Sequence, residues 1–240
     1  MQRLDKIISI GYGVSRADAR RLVQKGLVKV DGNTIKDISF KVDPDSSIVT
    51  AEGQAVNYKK YIYLIMNKPK GLLSATEDKK QKTVLDIIPS ELFRKDLFPV
   101  GRLDKNTTGL LLITNDGDFA HMLLSPNKKI PKQYLVTLDA EVSDDLILEF
   151  KKGVTLKDET KLSSADLVIN EDKTTALVTI TEGKYHQIKR MFGVFDLGVN
   201  ELKRISFAGI DLPKDLSEGE VRELTSNELE CINLAKKSAK

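Results

Sequence analysis

Asp104 stands between two cations in Gly101-Arg102-Leu103-Asp104-Lys105-Asn106-Thr107-Thr108-Gly109. A neighbouring opposite charge keeps a carboxyl ionised at neutral pH, and an ionised carboxylate can serve as a covalent nucleophile. The apolar run Leu110-Leu111-Leu112-Ile113 follows directly, which puts the acid on a loop beside a buried strand. Read alone, such an aspartate is a turn former or an ion-pair partner. No second acid pairs with it here, because Asp116 and Asp118 fit a turn and a helix start. Glycoside hydrolases use two carboxylates at a set separation, so that chemistry is disfavoured. Two histidines and the single Cys231 argue against a zinc site.

Two later segments carry further chemistry-capable side chains: Lys132-Gln133-Tyr134, and Glu182-Gly183-Lys184-Tyr185-His186-Gln187-Ile188-Lys189-Arg190-Met191-Phe192. In isolation Tyr134 is a strand aromatic, Lys189 and Arg190 are a basic pair at a helix start, and Leu202 is core.

The 240 residues can hold one large domain, or a small and a medium one. The formal charge is only +3, from 38 basic and 35 acidic residues, so any nucleic-acid surface must come from local clustering. No apolar run approaches bilayer length. The first residues lack the apolar stretch of a signal peptide, and the lone cysteine fits a reducing cytoplasm.

Near the start, Leu4, Ile7 and Ile8 share one face of a helix expected over 3–10, with Gly11 as its left-handed stop. Ser15 and Asp18 form a capping-box-like start for a second helix over 16–25, ended by Gly26. Ala19, Leu22 and Val23 cluster on one side of it; Arg16, Arg20, Arg21 and Lys25 spread over the other, with Asp18 as the expected acidic partner. Alternating residues around Asp31-Gly32 predict a hairpin. Extended pieces follow at 41–42 and 47–50, and 53–60 reads as a linker. Beyond it, 61–66 reads as a buried strand and Asn67-Lys68-Pro69-Lys70-Gly71 as a turn. Strands are expected near 134–138, 165–169, 176–181 and 201–207. Helices are expected near 83–88, 118–124, 143–152 and 226–235, with a frayed Lys-rich tail. Strands outnumber helices without regular alternation, which predicts an α+β fold with a mostly antiparallel sheet.

Two helices and a small sheet, with Arg3-Leu4-Asp5-Lys6, Val14-Ser15-Arg16 and Gly26-Leu27-Val28-Lys29-Val30-Asp31-Gly32, resemble the small RNA-binding module of the ribosomal-protein S-four type. The resemblance implies RNA binding, for which Arg3, Arg16, Arg20, Arg21, Lys25 and Lys29 are the candidates. The string from Gly101 to Gly109 closely resembles the catalytic motif of pseudouridine synthases, whose aspartate is the nucleophile. Lys132-Gln133-Tyr134 and Tyr185-His186-Gln187-Ile188-Lys189-Arg190-Met191-Phe192 resemble two further family motifs.

By that resemblance Tyr134 lies against the target base, Lys189 pairs with Asp104, and Leu202 packs near the base. Arg102 fills the space left by a flipped nucleotide or holds its phosphate. Lys132 binds substrate, and Lys68, Lys70 and Lys132 add phosphate contacts. His186 is expected to be structural. Uridine isomerisation needs no redox change and loses no group, so no cofactor and no metal are expected.

The expected organisation is a small N-terminal α/β RNA-binding domain at 1–58. A larger pseudouridine synthase domain at 59–240 is expected on a mixed, mostly antiparallel sheet flanked by helices. The branch that acts on small-subunit (16S) ribosomal RNA is the nearest resemblance, with that RNA or a small-subunit assembly particle as partner, no membrane and a monomer. The alternatives are a synthase for large-subunit RNA and a non-catalytic RNA-binding assembly factor. The presence of Asp104, Tyr134 and Lys189 together argues against the latter.

Overall fold

The computed structural model describes residues 1–44 and 46–238, and the side chains up to 235. The expected fraying of the Lys-rich tail lies outside those described side chains. The chain forms two compact units, Met1–Tyr61 and Ile62–Lys240.

The first unit runs β1 (Gln2–Arg3), α1 (Leu4–Gly11), α2 (Arg16–Gln24), β2 (Val28–Val30), β3 (Asn33–Thr34), β4 (Lys41–Val42), β5 (Val49–Ala51) and β6 (Gln54–Ala55). Strand β1 pairs with β4, and the rest form an antiparallel sheet ordered β3-β2-β5-β6. Two tight turns set its register. Asp31 and Gly32 have φ of 49° and 82°, and Glu52 and Gly53 have 51° and 82°. Positive φ at both central residues is the two-residue hairpin geometry that matches strand twist. The second hairpin lies where a linker was expected. The alternation is only two residues long there, too short to be seen, and it carries the unit boundary out to Tyr61. Leu4, Ile7 and Ile8 of α1 pack on Ala19 and Val23 of α2 and on the sheet valines.

Gly11 is not the helix stop but its last residue. A Cβ there would lie 2.6 Å from Val56 Cγ1 and 3.0 Å from the Tyr58 nitrogen, so glycine is needed for close approach. Ser15 caps α2 by accepting from the Asp18 N–H.

The basic face differs most from expectation. Asp5, fully buried on α1, accepts from Arg3 Nε at 3.2 Å and Arg20 Nε at 3.0 Å, and Arg16 Nη2 lies 3.2 Å away. Arg21 pairs with Asp18. Burial pushes the Asp5 carboxyl up, but the hydrogen bonds from Arg3 and Arg20 and the charge of Arg16 outweigh it and hold it below its ordinary value. The acid lies eleven or more positions before the helix it organises, so no helical spacing reveals the pairing. The three arginines remain roughly half-exposed around one carboxylate. Lys25 and Lys29 are exposed and form no ion pair among the described residues.

The second unit runs β7 (Tyr63–Lys68), β8 (Phe98–Pro99), β9 (Thr108–Thr114), α3 (Gly117–Leu124), β10 (Lys132–Leu138), α4 (Asp145–Lys152), β11 (Asp166–Ile169), β12 (Thr175–Ile180), α5 (Gln187–Gly193), β13 (Val199–Phe207), β14 (Ile210–Asp211), β15 (Val221–Glu223) and α6 (Ser226–Ser238). One sheet is ordered β11-β12-β10-β13-β9-β7-β15, with β8 beside β9 and β14 beside β13. Every pairing is antiparallel except β13 with β9.

Strand β9 is buried on both faces, which explains its unbroken apolar run. Leu111 and Ile113 join the core under α4 and α5, while Leu110 and Leu112 join the core under α3 and α6. Asp116 caps α3 by accepting from the Phe119 N–H at 3.1 Å, and also accepts from the Tyr63 hydroxyl.

The parallel contact joins only Lys203 to Thr108 and Arg204 to Gly109. Gly109 has φ +98°, and a Cβ on it would lie 2.2 Å from the Arg204 carbonyl oxygen. Gly109→Ala should therefore cost about 2–4 kcal/mol through overpacking and backbone strain, read as a lower denaturant midpoint at unchanged slope. A midpoint within error of the parent would show that β9 and β13 can part without penalty.

Candidate active site

Asp104 sits on the loop that joins β8 to β9, immediately before the buried strand. The Thr107 N–H donates to the Asp104 carbonyl at 3.0 Å and closes a turn. Lys68, at the end of β7, lies wholly buried beneath that turn. Its ammonium donates to the carbonyls of Pro69 (3.1 Å), Asp104 (3.3 Å), Lys105 (3.1 Å) and Thr107 (3.0 Å). Three N–H groups serve four acceptors, so one is shared. Burial lowers the Lys68 pKa to about 8, against the charges of Asp104 and Glu218 that favour the ammonium.

On the other side, the buried Ser74 hydroxyl donates to the Leu103 carbonyl at 2.9 Å and accepts from the Leu103 N–H at 3.1 Å. The backbone on both sides of Asp104 is thus fixed, while its side chain stays 32% exposed. Ser74→Ala removes both bonds to Leu103. We expect a loss of about 1–2 kcal/mol in transition-state stabilisation, read as a roughly tenfold lower kcat with KM little changed. An unaltered kcat would mean that Lys68 suffices to place the carboxylate.

A cavity with about 420 Å³ of open space faces Asp104. Its apolar lining is Leu103, Tyr134 on β10, Ile180 on β12, Ile188 on α5 and Leu202 on β13. Arg102, Asp104, Thr107, Lys184, His186 and Gln187 supply the polar groups. Such a mix of apolar walls and a few convergent polar groups suits a small planar ligand.

The 182–187 loop is pinned by Gln187. Its buried side chain accepts from the Lys184 N–H at 2.9 Å and donates to Glu182 at 2.9 Å. Glu182 in turn accepts from the Ser163 N–H. His186 adopts φ 48° and brings Nε2 to 3.6 Å from Asp104 Oδ1.

Asp104, Tyr134, Leu202 and Arg102 therefore meet at one cavity, and Arg102 forms no ion pair among the described residues. Lys189 does not join them. It follows Ile188 on α5, is not part of the cavity lining, and forms no ion pair with Asp104 among the described residues. The groups nearest Asp104 are instead the Lys68 ammonium beneath its loop and the His186 imidazole beside it.

Lys132 also lies outside the cavity. It donates to the Ile130 carbonyl at 3.1 Å and sits 5.7 Å over the Phe207 ring, with its pKa lowered to about 8 by burial and by Arg204. Lys70 pairs with Glu201 at 2.8 Å. Lys68, buried in its strand, makes backbone contacts rather than phosphate contacts.

Arg204, the cross-strand partner of Tyr134, is buried and donates from Nε to the Leu110 carbonyl at 2.7 Å. Burial pushes its pKa down, opposed by the Tyr134 phenol, so Tyr134 is backed by a fixed cation.

Residues 62–193, opening on the first residue of the second unit, match the RNA pseudouridylate synthase family model. The chain belongs to that family. Residues 2–48 of this synthase match the S4 domain. An uncharacterized RNA pseudouridine synthase of Bacillus subtilis (strain 168) is 46% identical over 96% of this chain and 98% of its own. Ribosomal small subunit pseudouridine synthase A of Escherichia coli (strain K12) is 39% identical over 96% of this chain and 99% of its own. A pseudouridylate synthase crystal structure superposes with a TM-score of 0.68 at 32% identity, covering 97% of this chain and 100% of that one. The synthase is therefore an isomerase, and Ser74, Lys68, His186 and Gln187 are site residues that the sequence reading passed over or assigned elsewhere.

Proposed function

We propose that the synthase converts a uridine of small-subunit ribosomal RNA to pseudouridine, with Asp104 as the nucleophile. The observation that carries this reading is a partly exposed carboxylate held on a doubly anchored backbone at the mouth of a cavity lined by Tyr134 and Leu202. The N1–C1′ bond breaks, the base turns, and C5 bonds to C1′; C5 loses a proton and N1 gains one. Asp104 carries the covalent step, and Tyr134 stacks on the base. The base must leave its helix or loop first, which costs a few kcal/mol of unstacking that cavity contacts offset. Arg102, unpaired at the rim, suits the space or phosphate of the flipped nucleotide. The name of the Escherichia coli relative supports the small-subunit substrate.

The test is carbodiimide-dependent primer extension on unmodified small-subunit RNA, large-subunit RNA and assembly particles after incubation with the protein. One new pseudouridine in small-subunit RNA, free or in particles, is the expected result. A stop only in large-subunit RNA would overturn the substrate, and none anywhere would overturn the function.

In the first unit, the three arginines around Asp5 present a net positive cluster suited to a phosphate backbone. Arg16→Ala combined with Arg20→Ala should weaken RNA binding and reduce the salt slope, log K against log salt, by about 1–2. An unchanged slope would remove this cluster from the interface.

A further inference from the structure

Tyr185 is 70% exposed, yet it does not wave in solvent. Its ring stacks on His186 with centroids 3.9 Å apart and planes 15° from parallel. His186 is held by the pinned 182–187 loop and lies beside Asp104. One face of Tyr185 is therefore covered by an imidazole that lines the cavity, and the ring itself is not part of the lining. The aromatic therefore stands outside the cavity, stacked on one of its lining residues. Two exposed cations line the same cavity: Arg102, and Lys184, the residue before Tyr185, whose ammonium donates to the Lys161 carbonyl at 3.0 Å.

We propose that Tyr185 is the stacking platform for an unpaired nucleobase adjacent to the target uridine, a subsite distinct from the cavity that takes the uridine itself. This rests on the RNA-modifying function proposed above. An exposed aromatic among cations is how single-stranded RNA is held without base-specific hydrogen bonds. The preformed stack on His186 lowers the cost, because the ring is already ordered before RNA arrives. A flipped nucleotide leaves its neighbour with an unstacked face, and Tyr185 replaces that lost partner.

The experiment uses the full-length protein and an RNA fragment in which the parent enzyme has been shown to form pseudouridine. Parent, Tyr185→Ala and Tyr185→Phe are compared on this fragment and on copies with an abasic nucleotide on either side of the uridine. Tyr185→Ala should raise KM about 5- to 150-fold, the range that stacking one base on an aromatic ring is worth, with kcat within about threefold; Tyr185→Phe should match the parent. The abasic fragment on one side should raise the parent KM similarly and add little to the Tyr185→Ala defect. A 2-aminopurine at that position should be quenched by the parent and by Tyr185→Phe, and not by Tyr185→Ala. Equal KM for parent and Tyr185→Ala, fully additive defects, or unchanged quenching would each overturn the proposal. Parent activity on the intact fragment, measured in the same series, keeps a failure here separate from a failure of the assigned function.

Discussion

Asp104→Asn should abolish pseudouridine formation, by on the order of 10⁴-fold in kcat, while RNA affinity and thermal stability stay near the parent. The magnitude is that of losing a covalent nucleophile whose partners act only through it. Stability is spared because the Asp104 side chain is partly exposed and, among the described residues, its approach to His186 at 3.6 Å is an ion-pair contact rather than a hydrogen bond. The loop keeps its shape through backbone bonds to Lys68 and Ser74, which asparagine leaves in place. Single-turnover assays on a responsive RNA, beside an equilibrium binding measurement, check both halves. Full activity in Asp104→Asn would sink the nucleophile while leaving the enzyme. Lost activity together with lost binding would place Asp104 in RNA recognition instead.

Lys68→Met should lower kcat by at least about 100-fold and destabilise the second unit. The variant strips four loop carbonyls of their buried donor, and each unsatisfied buried acceptor costs about 1–3 kcal/mol. A loosened loop also lets Asp104 drift, and a displacement of about 1 Å can cost 10²-fold.

The pH dependence separates the two effects. The folded pKa near 8 lies below the unfolded value of 10.5. Between those values the unfolded chain binds more protons at this site, so its contribution to stability rises with pH across the window. Holding the proton in the fold below pH 8 costs roughly 3 kcal/mol. Activity should move the other way, falling above about pH 8 as the loop loses its ammonium. Thermal melts and kcat profiles from pH 7 to 10 should therefore diverge in the parent. The alkaline fall should vanish from the residual activity of Lys68→Met and persist in Lys132→Met, which controls for the other lysine with a pKa near 8. A limb that persists in Lys68→Met would assign it to another group.

The sequence by itself determined the elements whose cause is local. Ser15 caps a helix because its oxygen reaches an N–H group three residues on. Asp31-Gly32 makes a hairpin because both residues tolerate positive φ. The run at 110–113 is a strand buried on both faces because nothing polar interrupts it. Asp104 was legible as a candidate because its whole motif is contiguous, whereas Tyr134 and Leu202, which read alone as a strand aromatic and core, were singled out by resemblance; all three line one cavity.

Only the tertiary structure decided what surrounds Asp104. Lys68 reads as part of a turn, but β7 continues through it and seals its charge under the loop. A lysine there is intelligible only once three carbonyls from a segment 36 or more residues later converge on it. Lys189 and His186 exchange expected places because the left-handed turn at His186 sets where α5 begins, and so which residues face inward. Arg16 and Arg20 of α2 find their acid only when Asp5 of α1 packs against them. In each case a side chain meets a partner from outside its own element. Spacing records which residues share an element, while burial and long-range approach determine which charges find one another.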